Sequence, residues 1–195
     1  MEDAVDVNVV TRDPKLYFLQ SNQAQNYLER LKEAEGDQDV QPLKLSQREI
    51  GKRMHEVLSK VSDASQLEEV LSQAQEEGTI GDGEEWKTIT TRIKEGFQDS
   101  IVASWFKAEN TVFNECGIAG KDEKSQPIVL RPDRVIINGN SITVIDYKFG
   151  RPNGDYITQV RNYMDFMHRM YPNHEIKGYL WYIMGKEAVE VKNDK

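Results

Sequence analysis

The chain has 195 residues, of which 38% are hydrophobic and 30% charged, and its 25 basic and 33 acidic side chains give a net charge of −8. This composition is typical of one folded domain, or one domain with an extension, and excludes an intrinsically disordered chain. The single cysteine excludes an intrachain disulfide, no apolar run is long enough to span a membrane, and the first residues do not resemble a signal peptide. We therefore expect a cytoplasmic protein with no membrane partner.

The charge is unevenly distributed along the chain. Residues 126–195 carry 10 basic and 8 acidic side chains, a net charge of +2, whereas residues 1–125 carry 15 basic and 25 acidic ones, a net charge of −10. Because binding to phosphates depends on Lys and Arg, the average charge disfavours a nucleic-acid partner. The last third of the chain does not share this bias.

The first part of the chain is predicted to be helical. Residues 1–45 are typical of an N-terminal extension or linker, with at most one helix near 21–35. The first well-defined helix is predicted over 47–61, because Ser46 and Glu49 match a capping box and apolar residues then recur at helical spacing. Further helices are predicted over 64–77, ending at Gly78, and over 84–106, where one or two are expected. The domain is thus expected to cover 46–195, with a helical insertion at 62–106.

The periodicity after residue 110 is that of strands. Three segments rich in β-branched residues are predicted as strands: 111–118, 128–137 and 141–148. Asn-Gly-Asn at 138–140 predicts a hairpin turn between the last two. A helix over 156–170 and strands over 177–184 and 188–192 follow. This order predicts an α/β fold.

Two aspartates lie on the arms of the predicted hairpin. If residues 139–140 form the turn, Asp133 is directly opposite Asp146; if 138–139 form it, the two are diagonal on one face. In both registers the carboxylates lie within about 5 to 8 Å, and Lys148 shares their face. A three-residue loop with a bulge would break this arrangement.

Two carboxylates this close repel each other unless one is protonated or a cation lies between them. Their oxygens suit Mg²⁺ or Mn²⁺, and such an ion can deprotonate a water and polarise a phosphoryl oxygen. Lys148 would then orient the attacking water or neutralise charge on the scissile phosphate. The alternative is a solvated hairpin on which Lys148 and Arg131 neutralise the two aspartates.

The motifs around this hairpin resemble a known family. Pro132-Asp133, followed by Asp146-x-Lys148 on the next strand, resembles the PD-(D/E)XK nuclease signature. More narrowly, the resemblance is to the RecB-type nuclease domain found at the C-terminus of UvrD-like helicase-nucleases, through RPDRVIINGNSITVIDYKFG, YITQVRNYM and Gly51-Lys-Arg-Met-His55. It covers residues 46–192 and implies a restriction-endonuclease-like core, α-β-β-β-α-β, with a mixed central sheet flanked by helices and extra N-terminal helices.

The resemblance implies roles for the residues that match its motifs. His55, Asp133, Asp146 and the carbonyl oxygen of Tyr147 would be metal ligands. Asp133, Asp146 and Lys148 would be the catalytic residues. Without the family, a lone histidine beside an apolar helix face is more often a packed core residue.

Supporting residues are implied less directly. Glu115 matches a glutamate near the active site of such domains. Glu109 is the alternative for this role, because it is an even number of residues away and would point to the same face of the strand. Gln159 and Tyr163, one helical turn apart, would face the active site and DNA; the alternative is a core tyrosine with a surface glutamine. The weaker candidates for contacts with DNA are Tyr156, Arg161 and Arg131.

The aromatic run at 179–183 is more typical of a buried strand than of a platform on which bases stack. Two features of helicase-nucleases are absent from the sequence: a Gly-x₄-Gly-Lys-Ser/Thr phosphate loop, for which 117–121 is too short, and a cysteine quartet for an iron–sulfur cluster. The chain cannot hydrolyse ATP by that route. We therefore expect a nuclease domain covalently linked to, or associated with, a helicase motor, with residues 1–45 as the link.

The resemblance implies a Mg²⁺- or Mn²⁺-dependent deoxyribonuclease, an exonuclease domain in DNA recombination or repair that acts on single-stranded or unwound DNA. One alternative is a catalytically silent nuclease-like scaffold that binds DNA or a protein. Another is a metal-dependent hydrolase of RNA. The acidic charge predicts weak intrinsic affinity for DNA.

Overall fold

The computed structural model describes residues 17–19, 45–121 and 126–193. Within these ranges the helices are α1 (Leu45–Ser59), α2 (Leu67–Glu76), α3 (Glu84–Gly96), α4 (Ser100–Trp105) and α5 (Gly154–Met170), with a 3₁₀ turn (Ala64–Gln66) before α2. The strands are β1 (Tyr17–Leu19), β2 (Thr111–Asn114), β3 (Gly117–Lys121), β4 (Pro127–Leu130), β5 (Arg134–Asn138), β6 (Ser141–Lys148), β7 (Glu175–Tyr182) and β8 (Glu187–Val191).

A mixed five-stranded sheet forms the centre of the fold. Its strand order is β2-β5-β6-β7-β8, and a smaller antiparallel sheet has the order β1-β3-β4. Strands β6 and β7 are parallel and are joined by α5, while the other neighbours in the large sheet are antiparallel. A parallel pair requires such a crossover connection. Within the large sheet the expected order is confirmed: three strands (β2, β5 and β6) follow the first helices, and α5 and β7 come next.

Helices cover both faces of the large sheet. Ile145 and Tyr147 of β6 pack in one core with residues of α1 to α4, whereas Ile142 and Val144 pack in a second core with residues of α5. Alternate residues of a strand point to opposite faces, so β6 is covered on both sides. Helices α2 to α4, predicted as an insertion, thus share a core with α1 and the sheet. The domain boundaries at 45 and 62–106 stay predictions.

Two predicted strands are each divided in two. Segment 111–118 breaks at Glu115, whose φ of 50° is left-handed, and segment 128–137 breaks around Pro132, which has no N–H to donate to a ladder. The separated halves, β3 and β4, pair with each other in the small sheet. The β-branched residues on both sides of each break gave no sign of it. These strand bounds were wrong for this reason.

The helix bounds differ in smaller ways. Helix α1 covers Leu45–Ser59, whereas the prediction began it at 47. The side chain of Ser46 lies outside what the structure describes, so the capping box stays a prediction. Segment 84–106 forms two helices, because the Asp99 side chain accepts hydrogen bonds from the first N–H groups of α4. The helix predicted near 21–35 lies outside the described residues. Among the described helices, none has the length and apolar character needed to cross a membrane.

Candidate active site

The β5–β6 hairpin adopts the first of the two predicted registers. Asn138 pairs with Ser141, so Gly139 and Asn140 form the turn, and Gly139 has a left-handed φ of 56°. A glycine at the first central position is typical of a tight hairpin turn.

The register brings Asp133, just before β5, into line with Asp146 on β6. The two aspartates are only 8% and 2% exposed, so the alternative of a solvated hairpin is wrong. Oδ2 of Asp133 accepts a hydrogen bond of 2.5 Å from the main-chain N–H of Tyr147. This bond fixes the Asp133 carboxylate to the end of β6. A role for the Tyr147 carbonyl oxygen as a ligand stays a prediction.

A histidine and a glutamate complete a cluster around Asp133. Nδ1 of His55, on α1, is 3.0 Å from Oδ1 of Asp133 and 4.0 Å from Oε1 of Glu115. The left-handed Glu115 also donates its main-chain N–H to the Asp133 carbonyl at 2.8 Å. In the part of the chain that the structure describes, these three residues offer ligand atoms that all lie within 4.8 Å of one another.

The structure separates the two candidate glutamates. Glu109 is exposed and pairs with Lys107 at 3.7 Å, whereas Glu115 is in the cluster. Arg131 contacts Glu115: its Nε is 2.8 Å from Oε2 and 3.2 Å from the main-chain carbonyl. One arginine thus neutralises part of the charge of the acidic cluster.

Lys148 is held beside this cluster by three neighbours. Its ammonium forms an ion pair with Asp146, lies 3.2 Å from Oε1 of Gln159, and sits 4.3 Å from the ring centroid of Tyr156. The lysine side chain is 15% exposed.

Gln159 and Tyr163 continue this chain of contacts along α5. Nε2 of Gln159 donates to the Tyr163 hydroxyl at 2.6 Å, and that hydroxyl donates to the Arg131 carbonyl at 3.2 Å. Gln159 is half-buried and points to Lys148, so the alternative of a surface glutamine is wrong.

Arg161 is two residues from Gln159, about 200° around the helix, and contacts the Lys192 carbonyl at 3.0 Å. Its contact with DNA, like those of Tyr156 and Arg131, stays a prediction. The aromatic run on β7 is core: Leu180, Trp181, Tyr182 and Ile183 are buried.

The electrostatics of the cluster favour a bound cation. Burial raises the pKa of Asp146, the nearby Asp133 carboxylate raises it further, and Lys148 only partly opposes them. Burial and Asp133 likewise raise the pKa of Glu115 against the opposing effect of Arg131 and His55. For His55, burial lowers the pKa, but the surrounding carboxylates outweigh it and the net shift is upward. Burial and the neighbouring carboxylates thus penalise the ionised forms of Asp146 and Glu115, a penalty that protons or a bound cation would relieve.

The donor set fits a divalent metal. One imidazole nitrogen and carboxylate oxygens are ligands that Mn²⁺ and Mg²⁺ accept, and the three clustered ligand atoms are close enough to share one ion. His55, Glu115 and Asp133 would hold it. Asp146 lies beside them, near enough for its charge to act on His55.

Sequence reasoning missed Arg134 and Asn114, which lie directly beside Asp133 and Glu115. Arg134 is 0% exposed and Asn114 hydrogen-bonds to it at 2.9 Å. The only sign of this in the sequence was that a charged residue, Arg134, begins the otherwise apolar strand β5.

The sequence was compared with families of known proteins. The sequence matches the profile of the PD-(D/E)XK nuclease superfamily over residues 19–194. The match spans most of the chain, which therefore belongs to this superfamily. Nucleases of this superfamily use divalent metal ions and act on nucleic acid.

No curated protein matches the chain. Among solved structures, protein VC1899 from Vibrio cholerae is similar, with a TM-score of 0.36 and 11% sequence identity over 87% of this chain. The chain spans 50% of the length of that protein. A TM-score this low adds nothing to the assignment.

Proposed function

We propose that the protein is a Mg²⁺- or Mn²⁺-dependent deoxyribonuclease whose ligands are His55, Glu115, Asp133 and Asp146, with Lys148 as the catalytic lysine. The observation that carries the proposal is the convergence of His55, Glu115 and Asp133 ligand atoms within 4.8 Å, beside the Asp146–Lys148 ion pair. Five side chains of complementary chemistry thus meet at one end of the β5–β6 hairpin.

Each residue has a task that follows from its contacts. A divalent cation held by the cluster would supply an activated water and polarise a phosphoryl oxygen. Lys148 orients that water or neutralises charge that develops on the phosphate. Gln159 and Tyr156 hold the Lys148 ammonium in place, and Tyr163 holds Gln159.

The finer assignments rest on the sequence resemblance. We infer that the substrate is single-stranded or unwound DNA and that the protein acts as an exonuclease domain with a helicase motor in recombination or repair. The missing phosphate loop supports a separate motor, and the net charge of −10 over residues 1–125 supports delivery of DNA by a partner. The cytoplasmic location stays a prediction.

The direct test is cleavage of labelled single- and double-stranded DNA, and of RNA, with Mg²⁺, Mn²⁺ or EDTA. We expect metal-dependent cleavage of single-stranded DNA, and a loss of about 10²- to 10³-fold in Asp146→Ala and in Lys148→Ala. Matched controls are Asp82→Ala and Lys177→Ala. Both side chains reach solvent and neither belongs to the cluster; Lys177 pairs with Glu175. Metal-dependent cleavage that survives both active-site substitutions would refute the site. Preferential cleavage of RNA would refute the substrate.

A second candidate is a catalytically silent scaffold, which the acidic charge of the first two thirds of the chain favours. It predicts Mn²⁺ binding without cleavage of any nucleic acid. The presence of Lys148 against Asp146 in a buried cluster disfavours it, because a scaffold gains nothing from a buried ion pair that is costly to desolvate.

A further inference from the structure

Arg134 is a buried guanidinium whose donors are all used. It has five N–H groups, and the structure gives it five hydrogen bonds. Nε and Nη2 donate to the Trp105 carbonyl at 3.2 and 2.9 Å, and Nη2 also donates to the Ser62 carbonyl at 2.6 Å. Nη1 donates to the Val61 carbonyl at 2.8 Å and to Oδ1 of Asn114 at 2.9 Å. The guanidinium also lies 4.1 Å from the ring centroid of Phe106.

The acceptors of these five bonds are main-chain carbonyls and one amide, none of them a carboxylate. Val61 and Ser62 follow the end of α1, and Trp105 ends α4. Carbonyls at the ends of helices lack partners within the helix and carry partial negative charge. The positive charge of Arg134 therefore faces the carbonyl of Trp105 at the end of α4 and those of Val61 and Ser62 in the segment just after α1, and its planar geometry fixes where these segments lie.

Asn114 connects a third segment to the same point. It pairs with Arg134 across β2 and β5, and its Nδ2 donates to the Ser59 carbonyl at 2.8 Å and to the Val61 carbonyl at 3.3 Å. The end of α1 is therefore bonded from both strands. We call Arg134, Asn114 and the carbonyls of Ser59, Val61, Ser62 and Trp105 the guanidinium cluster.

The guanidinium cluster joins the three segments that carry the clustered ligands. Asn114 precedes Glu115, Arg134 follows Asp133, and the end of α1 lies one turn beyond His55. A shift of α1 against either strand would separate His55 Nδ1 from Asp133, now 3.0 Å away.

We propose that Arg134, with Asn114, is a positioning residue that holds His55, Glu115 and Asp133 at the separation a metal ion requires. The expected effect of this positioning on metal affinity rests on the function proposed above. The expected effect on the His55–Asp133 contact does not. Residues that orient metal ligands from the next layer typically change metal affinity by about 10- to 100-fold when they are substituted.

The first experiment uses the full chain without metal. Because Nδ1 of His55 faces a carboxylate at 3.0 Å, it carries a hydrogen-bonded proton that NMR can follow. We expect this proton to exchange with water about tenfold faster, or more, in Asn114→Ala and Arg134→Lys. Unchanged exchange in both variants would overturn the proposal, whether or not the protein binds metal.

The second experiment titrates the same variants with Mn²⁺ alone by calorimetry. We expect a dissociation constant about 10- to 100-fold higher in both. Asn140→Ala is the control for Asn114→Ala, because it removes a similar bond, to the Asn173 carbonyl at 2.9 Å, at the hairpin turn. Leu71→Ala removes buried side-chain atoms on α2, away from the ligands, and is the control for a loss of stability without a change at the cluster.

The outcomes separate the two proposals. The positioning role is supported if the controls lose as much melting temperature as Asn114→Ala and Arg134→Lys but bind Mn²⁺ with the dissociation constant of the wild type. Controls that weaken Mn²⁺ binding as much as the variants would reduce Arg134 to a stabilising residue and overturn the inference. If the wild type binds no Mn²⁺, the proposed function fails, and the exchange of the His55 proton alone decides the role of Arg134. Should Arg134→Lys fail to fold, Asn114→Ala carries both measurements.

Discussion

Glu115 has an unusual backbone for its residue type. Its φ of 50° is rarely adopted by residues with a long side chain, and it lies where β2 ends, next to a half-buried histidine and a buried aspartate. Backbone strain of this kind persists only where the surroundings impose it, and it is concentrated at functional sites. The strain at Glu115 therefore supports a role for its carboxylate in the cluster.

At the residue scale, Glu115→Gln should weaken Mn²⁺ binding. The substitution keeps the shape of the side chain but removes the negative charge and the ion pair between Glu115 and Arg131. We expect a dissociation constant higher by about 10- to 100-fold, measured by calorimetry. Glu109→Gln, at the exposed alternative position, is the control and should bind Mn²⁺ like the wild type. Equal affinities in both variants would remove Glu115 from the ligand set.

At the scale of elements, the packing of α5 on β7 positions the lysine. Gly178 of β7 lies beneath this helix, and a Cβ atom there would meet Sδ of Met164 and lie 2.7 Å from Cγ1 of Val160. The helix can approach β7 this closely only because residue 178 has no side chain. The same helix carries Gln159, which contacts Lys148.

Gly178→Ala should therefore push α5 away from the sheet. We expect the free energy of unfolding to fall by about 1 to 3 kcal/mol, as in other overpacked cores, measured by urea denaturation. Cleavage by the folded variant should fall as well, because Gln159 moves with the helix. Gly150→Ala is the control, since a Cβ atom there meets nothing within 4 Å. A Gly178→Ala protein as stable and active as the control would contradict this account.

At the scale of the whole molecule, the acidic cluster makes the stability of the metal-free protein depend on pH. The pKa values of Asp146, Glu115 and His55 are all raised in the folded state. A raised pKa means that the folded state binds the proton more tightly than the unfolded state does. The stabilisation is complete below the unfolded pKa values, 3.8, 4.5 and 6.5, and is lost as the pH rises through each folded value.

The variant Glu115→Gln/Asp146→Asn should reveal this effect when compared with the wild type. Without metal, we expect the variant to have the higher melting temperature at pH 8, and the difference to shrink as the pH falls to 5. Mn²⁺ at about 100 times its dissociation constant should raise the melting temperature of the wild type at pH 8 by about 5 to 10 °C. It should raise it far less at pH 5, where protons compete for the ligands. A wild type that is more stable than the variant at pH 8 without metal would contradict the pKa shifts.

Much of the site was predictable because a hairpin converts sequence spacing into geometry. The Asn-Gly-Asn turn and the period of two placed Asp133, Asp146 and Lys148 on one face, and the structure adopts one of the two registers considered. The break at Glu115 was not predictable, since no local pattern marks a glutamate with a left-handed φ. Nor were the partners of Arg134, whose acceptors Val61 and Ser62 lie more than 70 residues earlier in the chain.

Cys116 gives the protein a thiol probe beside its active site. It is the sole cysteine, is 6% exposed, and directly follows Glu115 at the break between β2 and β3. Burial raises the pKa of its thiol to about 12, so alkylating reagents reach a reactive thiolate only when this segment opens. A cation bound by Glu115 would restrain that opening. The rate of thiol labelling should therefore fall as Mn²⁺ is added, and it should stay constant in Glu115→Gln.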